Sequence, residues 1–395
     1  MRRLFASALL LSLPVAVFAD PPGDRLARLQ SMQKVAPDDG GLQLELAKEY
    51  LKIGDRNAAV VELRKAVESG IDVDLERDHG FDGLRRMLAF GVLLKQAKLN
   101  AVEVRKSVEA FRIPEKDLIP EGIAYDAVDR TFFVGSLNKR RIVRITPDGK
   151  AQDFVTSDQD GIGPVLGLKV DPVRRWLWAC SGSESKPEAS YLFAFEIGAT
   201  GKLVKKVRLT TPGNHLLNDL VVTSAGEVFA TDSEGGTVVR LAPGGDALQP
   251  FASGFVYPNG IAFSADERAL FVADSGSGLT RLERSTGQKR PMPYPKGVSP
   301  FGIDGLVFRA GSLLAVQNGA GLPRVVRYQL DAALTKITGL EILESRNPAF
   351  VTPTTAALAG SDLYILASSN LEALEKSGLR PDAKLVDVVI LKRRL

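Results

Sequence analysis

One pattern returns six times in the last 283 residues of this 395-residue chain, and it limits the fold more than any other feature. PEGIAYDAVDRTFFVGS (120–136) is followed by VLGLKVDPVRRWLWACS (165–181), LNDLVVTSAGEVFATDS (217–233) and PNGIAFSADERALFVADS (258–275). IDGLVFRAGSLLAVQN (303–318) and TTAALAGSDLYILAS (354–368) complete the series. Each copy reads as a short apolar strand, a polar turn and a second apolar strand. With Glu121, Leu166, Asn218, Asn259, Asp304 and Thr354 as equivalent positions, the steps are 45, 52, 41, 45 and 50 residues. That period belongs to four-stranded propeller blades, because solenoid repeats are shorter. The sequence therefore predicts an all-β six-bladed β-propeller over residues 113–395, with about 47 residues per blade. The 37 glycines agree with the many tight turns this fold needs.

Before the repeats the period is helical. Leu42, Leu46, Tyr50 and Ile53 recur at three- and four-residue steps, Gly54-Asp55 interrupts them, and Ala59, Leu63, Ala66 and Val67 resume. Leu46, Ala47, Tyr50, Gly54, Ala59, Leu63 and Ala66 have the spacing of one tetratricopeptide repeat, which this stretch resembles. A single hairpin cannot bury its own apolar face, and Phe81, Leu84, Leu88, Leu93 and Leu94 are the expected cover. Residues 20–112 are thus expected to form a small α-helical, tetratricopeptide-like region. It would cap the rest of the chain, or give a protein partner a place to dock.

The first residues, MRRLFASALLLSLPVAVFAD, carry two arginines, an apolar run and small residues up to Ala19. This is the order of a secretory signal peptide, so residues 1–19 are expected to be removed and the protein to be periplasmic or secreted. The apolar run contains Pro14 and is too short for the ~20 residues that span a bilayer. Loss of Arg2 and Arg3 lowers the formal charge from +4 to +2, and no basic block with interleaved aromatic residues suggests nucleic acid. The single cysteine, Cys180, excludes an intramolecular disulfide and a cysteine zinc cluster, and two histidines exclude a three-histidine metal site.

The repeats place unusual residues at the centre. In a propeller the first strand of each blade lines the central channel, so equivalent positions converge on one axis. In four blades that position holds Glu121, Asn218, Asn259 and Asp304. Polar groups facing one another at apolar strand starts are costly unless something coordinates them. Two carboxylates and two amide oxygens form a hard, all-oxygen donor set whose charge balances one divalent cation. Calcium fits best because it accepts irregular oxygen coordination; Zn2+, Mn2+ and Mg2+ are the alternatives.

PEGIAYD, LNDLVV, PNGIAFS and IDGLVF, with the LFVADS-type strands between them, resemble the gluconolactonase, senescence-marker-protein and luciferin-regenerating-enzyme superfamily, which is related to the paraoxonases. The resemblance implies a six-bladed propeller with one cation in its tunnel, held by Glu121, Asn218, Asn259 and Asp304, with Asp219 beside them. It also implies a lactone or ester hydrolase, in which Asp304 or Asp219 activates water. Sugar-lactone hydrolases of this family tend to have an arginine two residues before the Asn218 position. Here Leu216 stands there, which favours a less polar lactone or ester, and His215 beside it is expected on the substrate side, where its neutral imidazole would orient water. Phosphotriester hydrolysis, or a non-catalytic binding propeller with a structural ion, are the competing expectations.

Overall fold

A computed structural model describes residues 24–182, 189–319, 321–375 and 378–395. The expected signal peptide, residues 1–19, lies outside the described residues. Among the described residues, six four-stranded antiparallel sheets follow one another as the blades of a propeller. Their innermost strands are Ile123–Asp126, Val165–Asp171, Leu217–Val222, Pro258–Phe263, Ile303–Arg309 and Ala356–Ala359. Each predicted strand-turn-strand copy forms the two inner strands of one blade. These inner strands are buried on both faces and so read as apolar runs. Outer strands such as Lys202–Arg208 alternate between exposed and half-buried or buried residues and give a weaker signal.

The ring closes through the chain's own N-terminal part. Val108–Ile113 pairs with Val388–Arg394 and forms the outermost strand of the sixth blade, in the register Val108↔Lys392 and Ile113↔Val388. The propeller thus takes in residues just ahead of 113, where the strand-like period sets in. Deleting Val108–Ile113 would strip one edge from Val388–Arg394 and uncover Ile113's partners in the apolar cluster around Leu118, Ile123 and Ile390. A thermal melt of the truncated protein is expected to show a midpoint lower by roughly 10 °C or more.

Four α-helices precede the ring: α1 (Asp24–Val35), α2 (Gly40–Lys52), α3 (Arg56–Glu68) and α4 (Leu88–Leu99). Helices α2 and α3 form the expected hairpin. Gly54 turns the chain at φ +84°, and the Asp55 carboxylate accepts the Ala58 N–H to cap α3. Ala47, Ala59, Leu63 and Ala66 are fully buried between them. Phe81, Leu84 and Leu93 cover this face as expected, but Leu88 does not. It starts α4, whose buried face is Phe90, Leu93 and Ala97, and is 94% exposed.

The helices dock on the end of the ring where the innermost strands begin. Ser299 Oγ donates to Asp39 Oδ1 at 3.0 Å, and Arg346 forms an ion pair with Asp72. Phe301 packs with Leu29, Ala36, Leu42 and Leu46. Ser299 and Phe301 immediately precede the fifth innermost strand, so the helical region lies on the same end of the propeller as the strand starts. No helix among the described residues is long and apolar enough to cross a membrane.

Candidate metal centre

Leu166, Asn218, Asn259 and Asp304 are each the second residue of an innermost strand, and Glu121 and Thr354 lie two residues ahead of theirs. In blades two to five the ladder to the second strand slips by one residue at this point, between Val165 and Leu168, Leu217 and Leu220, Pro258 and Ile261, and Ile303 and Leu306. Each slip is a β-bulge holding the candidate position and the residue after it. A bulge frees two residues from the ladder and re-aims their side chains.

The residue after the candidate position is glycine in four of the six blades because neighbouring strands touch there. A Cβ on Gly260 would sit 2.3 Å from the Asp304 carbonyl oxygen, and one on Gly122 would sit 2.2 Å from that of Leu166. Gly260→Ala is therefore expected to push apart the strands that carry Asn259 and Asp304. The expected cost is about 2 kcal/mol or more, read as a lower midpoint in denaturant unfolding. Blade three has Asp219 at this place. Its carboxylate accepts the Leu220 N–H at 2.8 Å and the Ile261 N–H, left free by the next bulge, at 3.2 Å.

Glu121, Asp219, Asn259 and Asp304 line one small cavity on the axis, of about 20 Å³, which is room for one water or one ion. Glu121, Asn218 and Asp304 are 4%, 0% and 6% exposed. Asn218 Nδ2 donates to Ser233 Oγ at 3.0 Å, while its Oδ1 is buried with no hydrogen-bond partner. Asn318 Nδ2 donates to Asp304 Oδ2 at 2.6 Å and to the Pro353 carbonyl at 2.9 Å, which fixes the carboxylate. Thr354 Oγ1 and Thr231 Oγ1 donate to the carbonyls of Glu121 and Asn259, so the backbone that presents these side chains is itself held.

The electrostatics are unfavourable for the protein alone. Burial first, and then the charges of Asp304 and Asp219, push the Glu121 carboxyl well above its usual range. Burial raises Asp304 to about 7, against hydrogen bonds from Asn318 and Asn259 that pull it down. Asp219 is pushed up to about 6 by burial, with Lys169 and two backbone N–H groups opposing. Among the described residues no three His, Cys, Asp or Glu side chains stand at metal-ligating spacing. A cation here would depend on the two amide oxygens as well as on Glu121 and Asp304. The donor set meets that condition: all its atoms are hard oxygens, two are carboxylates, and the Asn218 Oδ1 lacks a partner.

Leu216 and His215 stand apart from this cavity. Leu216 is 5% exposed, in the apolar cluster that also contains Ile119, Leu166 and Leu371. His215 is buried with both ring nitrogens engaged, Nδ1 with Asp232 at 2.7 Å and Nε2 with the Thr211 carbonyl at 2.7 Å. Asn318 and Ser233, which orient Asp304 and Asn218, escaped the sequence reading. Their signal was the polar pair that ends the second strand in three blades, Asp232-Ser233, Asp274-Ser275 and Gln317-Asn318. Tyr257 also reaches the centre: it is half-buried and hydrogen-bonded to Ser233, and burial with the nearby Glu234, Asp304 and Glu121 charges raises its phenol.

Residues 119–366 match the family described as SMP-30/Gluconolactonase/LRE-like region. No curated protein matches the chain by sequence. Among solved structures, the gluconolactonase XC5397 from Xanthomonas campestris is 19% identical, with a TM-score of 0.50 over 72% of this chain and 88% of its own. The PQQ-bound aldose sugar dehydrogenase from Streptomyces coelicolor is 17% identical, with a TM-score of 0.53 over 73% and 97%. A luciferin-regenerating enzyme is 15% identical, with a TM-score of 0.51 over 73% and 95%. At these identities the likeness establishes the fold, and the neighbours' differing names show that the fold alone does not choose the chemistry. With more than half its length matched, the chain belongs to the SMP-30/gluconolactonase/LRE-like family, whose gluconolactonase-like propellers point to a lactonase or other hydrolase.

Proposed function

We propose that this protein is a metal-dependent hydrolase of lactones or esters, with one divalent cation, best suited to be calcium, on the propeller axis. The observation that carries the reading is the small cavity lined by Glu121, Asn259, Asp304 and Asp219; Asn218, the residue before Asp219, is outside that lining, and its buried Oδ1 has no hydrogen-bond partner. Glu121, Asn218, Asn259 and Asp304 would hold the cation, and Asn318 would keep the Asp304 carboxylate turned toward it. When bound, the cation supplies Lewis-acid chemistry, polarising the substrate carbonyl.

The chain's own residues handle the proton. Asp219, with its carboxyl near 6, is mostly ionised at neutral pH and can take a proton from the attacking water on one carboxylate oxygen. The water oxygen bonds to the carbonyl carbon, the carbon–oxygen bond of the ester breaks, and the leaving alkoxide receives that proton from Asp219. Asp304 is the second candidate for this role, at the cost of its place among the cation's donors. Neither His215 nitrogen is free to serve. Leu216, packed in the apolar cluster where sugar-lactone hydrolases of the family tend to have an arginine, offers no hydrogen bond to substrate hydroxyls, and that lack supports a less polar substrate than a sugar lactone. A periplasmic or secreted location, resting on the leader, belongs to the same proposal.

A panel of aliphatic lactones, aryl esters, sugar lactones and phosphotriesters, offered with calcium, tests the substrate class. Turnover of an aliphatic lactone or aryl ester is the expected result. Turnover of phosphotriesters alone, or of nothing while calcium still raises the melting temperature, would overturn it.

A further inference from the structure

Helix α4 is apolar on two opposite sides, and the fold uses only one of them. Phe90, Leu93 and Ala97 are buried against the rest of the helical region. Leu88, Val92 and Leu99, spaced four and seven residues apart, form a row on the other side and stay uncovered. Among the described residues Leu88 and Leu99, 94% and 78% exposed, are the two most exposed large apolar side chains, and Val92 is 62% exposed. The row runs about 16 Å along the helix. An apolar row left in water on a helix that already has its buried face marks a surface that something else covers.

The charge around the row says what covers it. From 85 to 102 the chain holds four cations, Arg85, Arg86, Lys95 and Lys98, and no acidic residue. Arg85 is paired with Asp82 and Lys98 with Glu76. The side chains of Arg86 and Lys95 are exposed and make no ion pair or hydrogen bond among the described residues. Lys95 stands within the row itself, between Val92 and Leu99. A second copy of the chain would set its own Lys95 and Arg86 against these charges. An apolar groove on a partner protein would have to bury Lys95 at the anchor position seven residues from Leu88. A lipid surface avoids both costs, because the apolar side chains enter the acyl boundary while Arg86 and Lys95 reach back to anionic headgroups.

We propose that the exposed face of α4 attaches the protein to an anionic lipid surface, with Leu88, Val92 and Leu99 in the acyl boundary and Arg86 and Lys95 on the headgroups. With 12 residues, α4 lies in the interface and does not cross it. Three aliphatic side chains and two charges give reversible attachment. None of these residues lines the cavity on the propeller axis, so the inference does not rest on the hydrolase reading.

Cosedimentation with vesicles tests the proposal. Protein lacking residues 1–19 keeps every described residue and removes the apolar leader, which would bind lipid by itself. It is expected to bind vesicles of equal parts phosphatidylglycerol and phosphatidylcholine at least about tenfold more tightly than pure phosphatidylcholine, and to lose that advantage in about 0.5 M salt. Leu88→Ser combined with Leu99→Ser should weaken binding at least about tenfold with an unchanged melting temperature, since both side chains already face water. Arg86→Gln combined with Lys95→Gln should weaken binding to the anionic vesicles by about tenfold or more. Val173→Ser, at an exposed turn on the other end of the propeller, should change nothing. No binding to the anionic vesicles, undiminished binding after the two leucine substitutions, or equal binding to both kinds of vesicle would each overturn the proposal. So would a dimer of the free protein that the leucine substitutions break, with no binding to vesicles, which would give the face to a second copy.

Discussion

Glu121→Gln and Asp304→Asn are each expected to cost the protein its divalent cation and at least about a thousandfold in ester or lactone turnover. Each substitution keeps the shape of the side chain and removes one of two negative charges from a centre where burial magnifies electrostatics. A neutral amide at position 121 also lacks the repulsion from Asp304 and Asp219 that now raises the Glu121 carboxyl, so these variants should fold at least as well without cation as wild type does. Loss of function would then not be loss of fold. Asp219→Asn serves as the contrast: it should keep the cation and lose turnover, since its carboxylate is assigned the proton and not the ion. Metal analysis and steady-state kinetics on the three variants separate the two roles. Retention of one cation per chain by Asp304→Asn would remove it from the ligand set.

The second large effect is an inverted pH dependence of stability in cation-free protein. Glu121, Asp304 and Asp219 all have carboxyls raised above their unfolded values, to about 7 and about 6 for the two aspartates. The folded state therefore binds more protons than the unfolded one between about pH 4 and 7, and stability falls as pH rises through that window. The surface carboxylates beside arginines, such as Asp158 beside Arg140 and Glu109 beside Arg112, are held below their ordinary values and oppose this trend only at the acid edge of the window. Chelated protein is thus expected to melt several degrees higher at pH 5 than at pH 8. Saturating calcium should reverse the order, because the cation replaces the protons at pH 8 and must compete with them at pH 5. Differential scanning calorimetry at the two pH values, with and without calcium, reads all four states.

Much of the fold could be read from the sequence because the inner two strands of every blade are buried on both faces. Strings such as LFVAD and WLWACS then stand out from the turns between them. Ring closure could not be read. VEAFRI at 108–113 is mostly exposed, and its partner strand lies about 280 residues away, so nothing local marks the pairing. Leu88 misled for a related reason: its apolar side chain fits the helical spacing, but α4 turns it to solvent. At the centre, Glu121, Asn218, Asn259 and Asp304 stood out as polar residues at apolar strand starts, and the structure adds the bulges that free Asn218, Asn259 and Asp304 from the ladder. Asn318 and Ser233 were hidden because they act from the second strand, and polar residues at strand ends ordinarily mark turns.

One ion on the propeller axis is expected to be required for hydrolysis. Turnover of the best substrate from the ester and lactone panel, followed while calcium is titrated into chelator-treated protein, tests this most directly. The expected result is no turnover without calcium, recovery that saturates at one equivalent per chain, and no recovery in Asp304→Asn. Undiminished hydrolysis in excess chelator would contradict it.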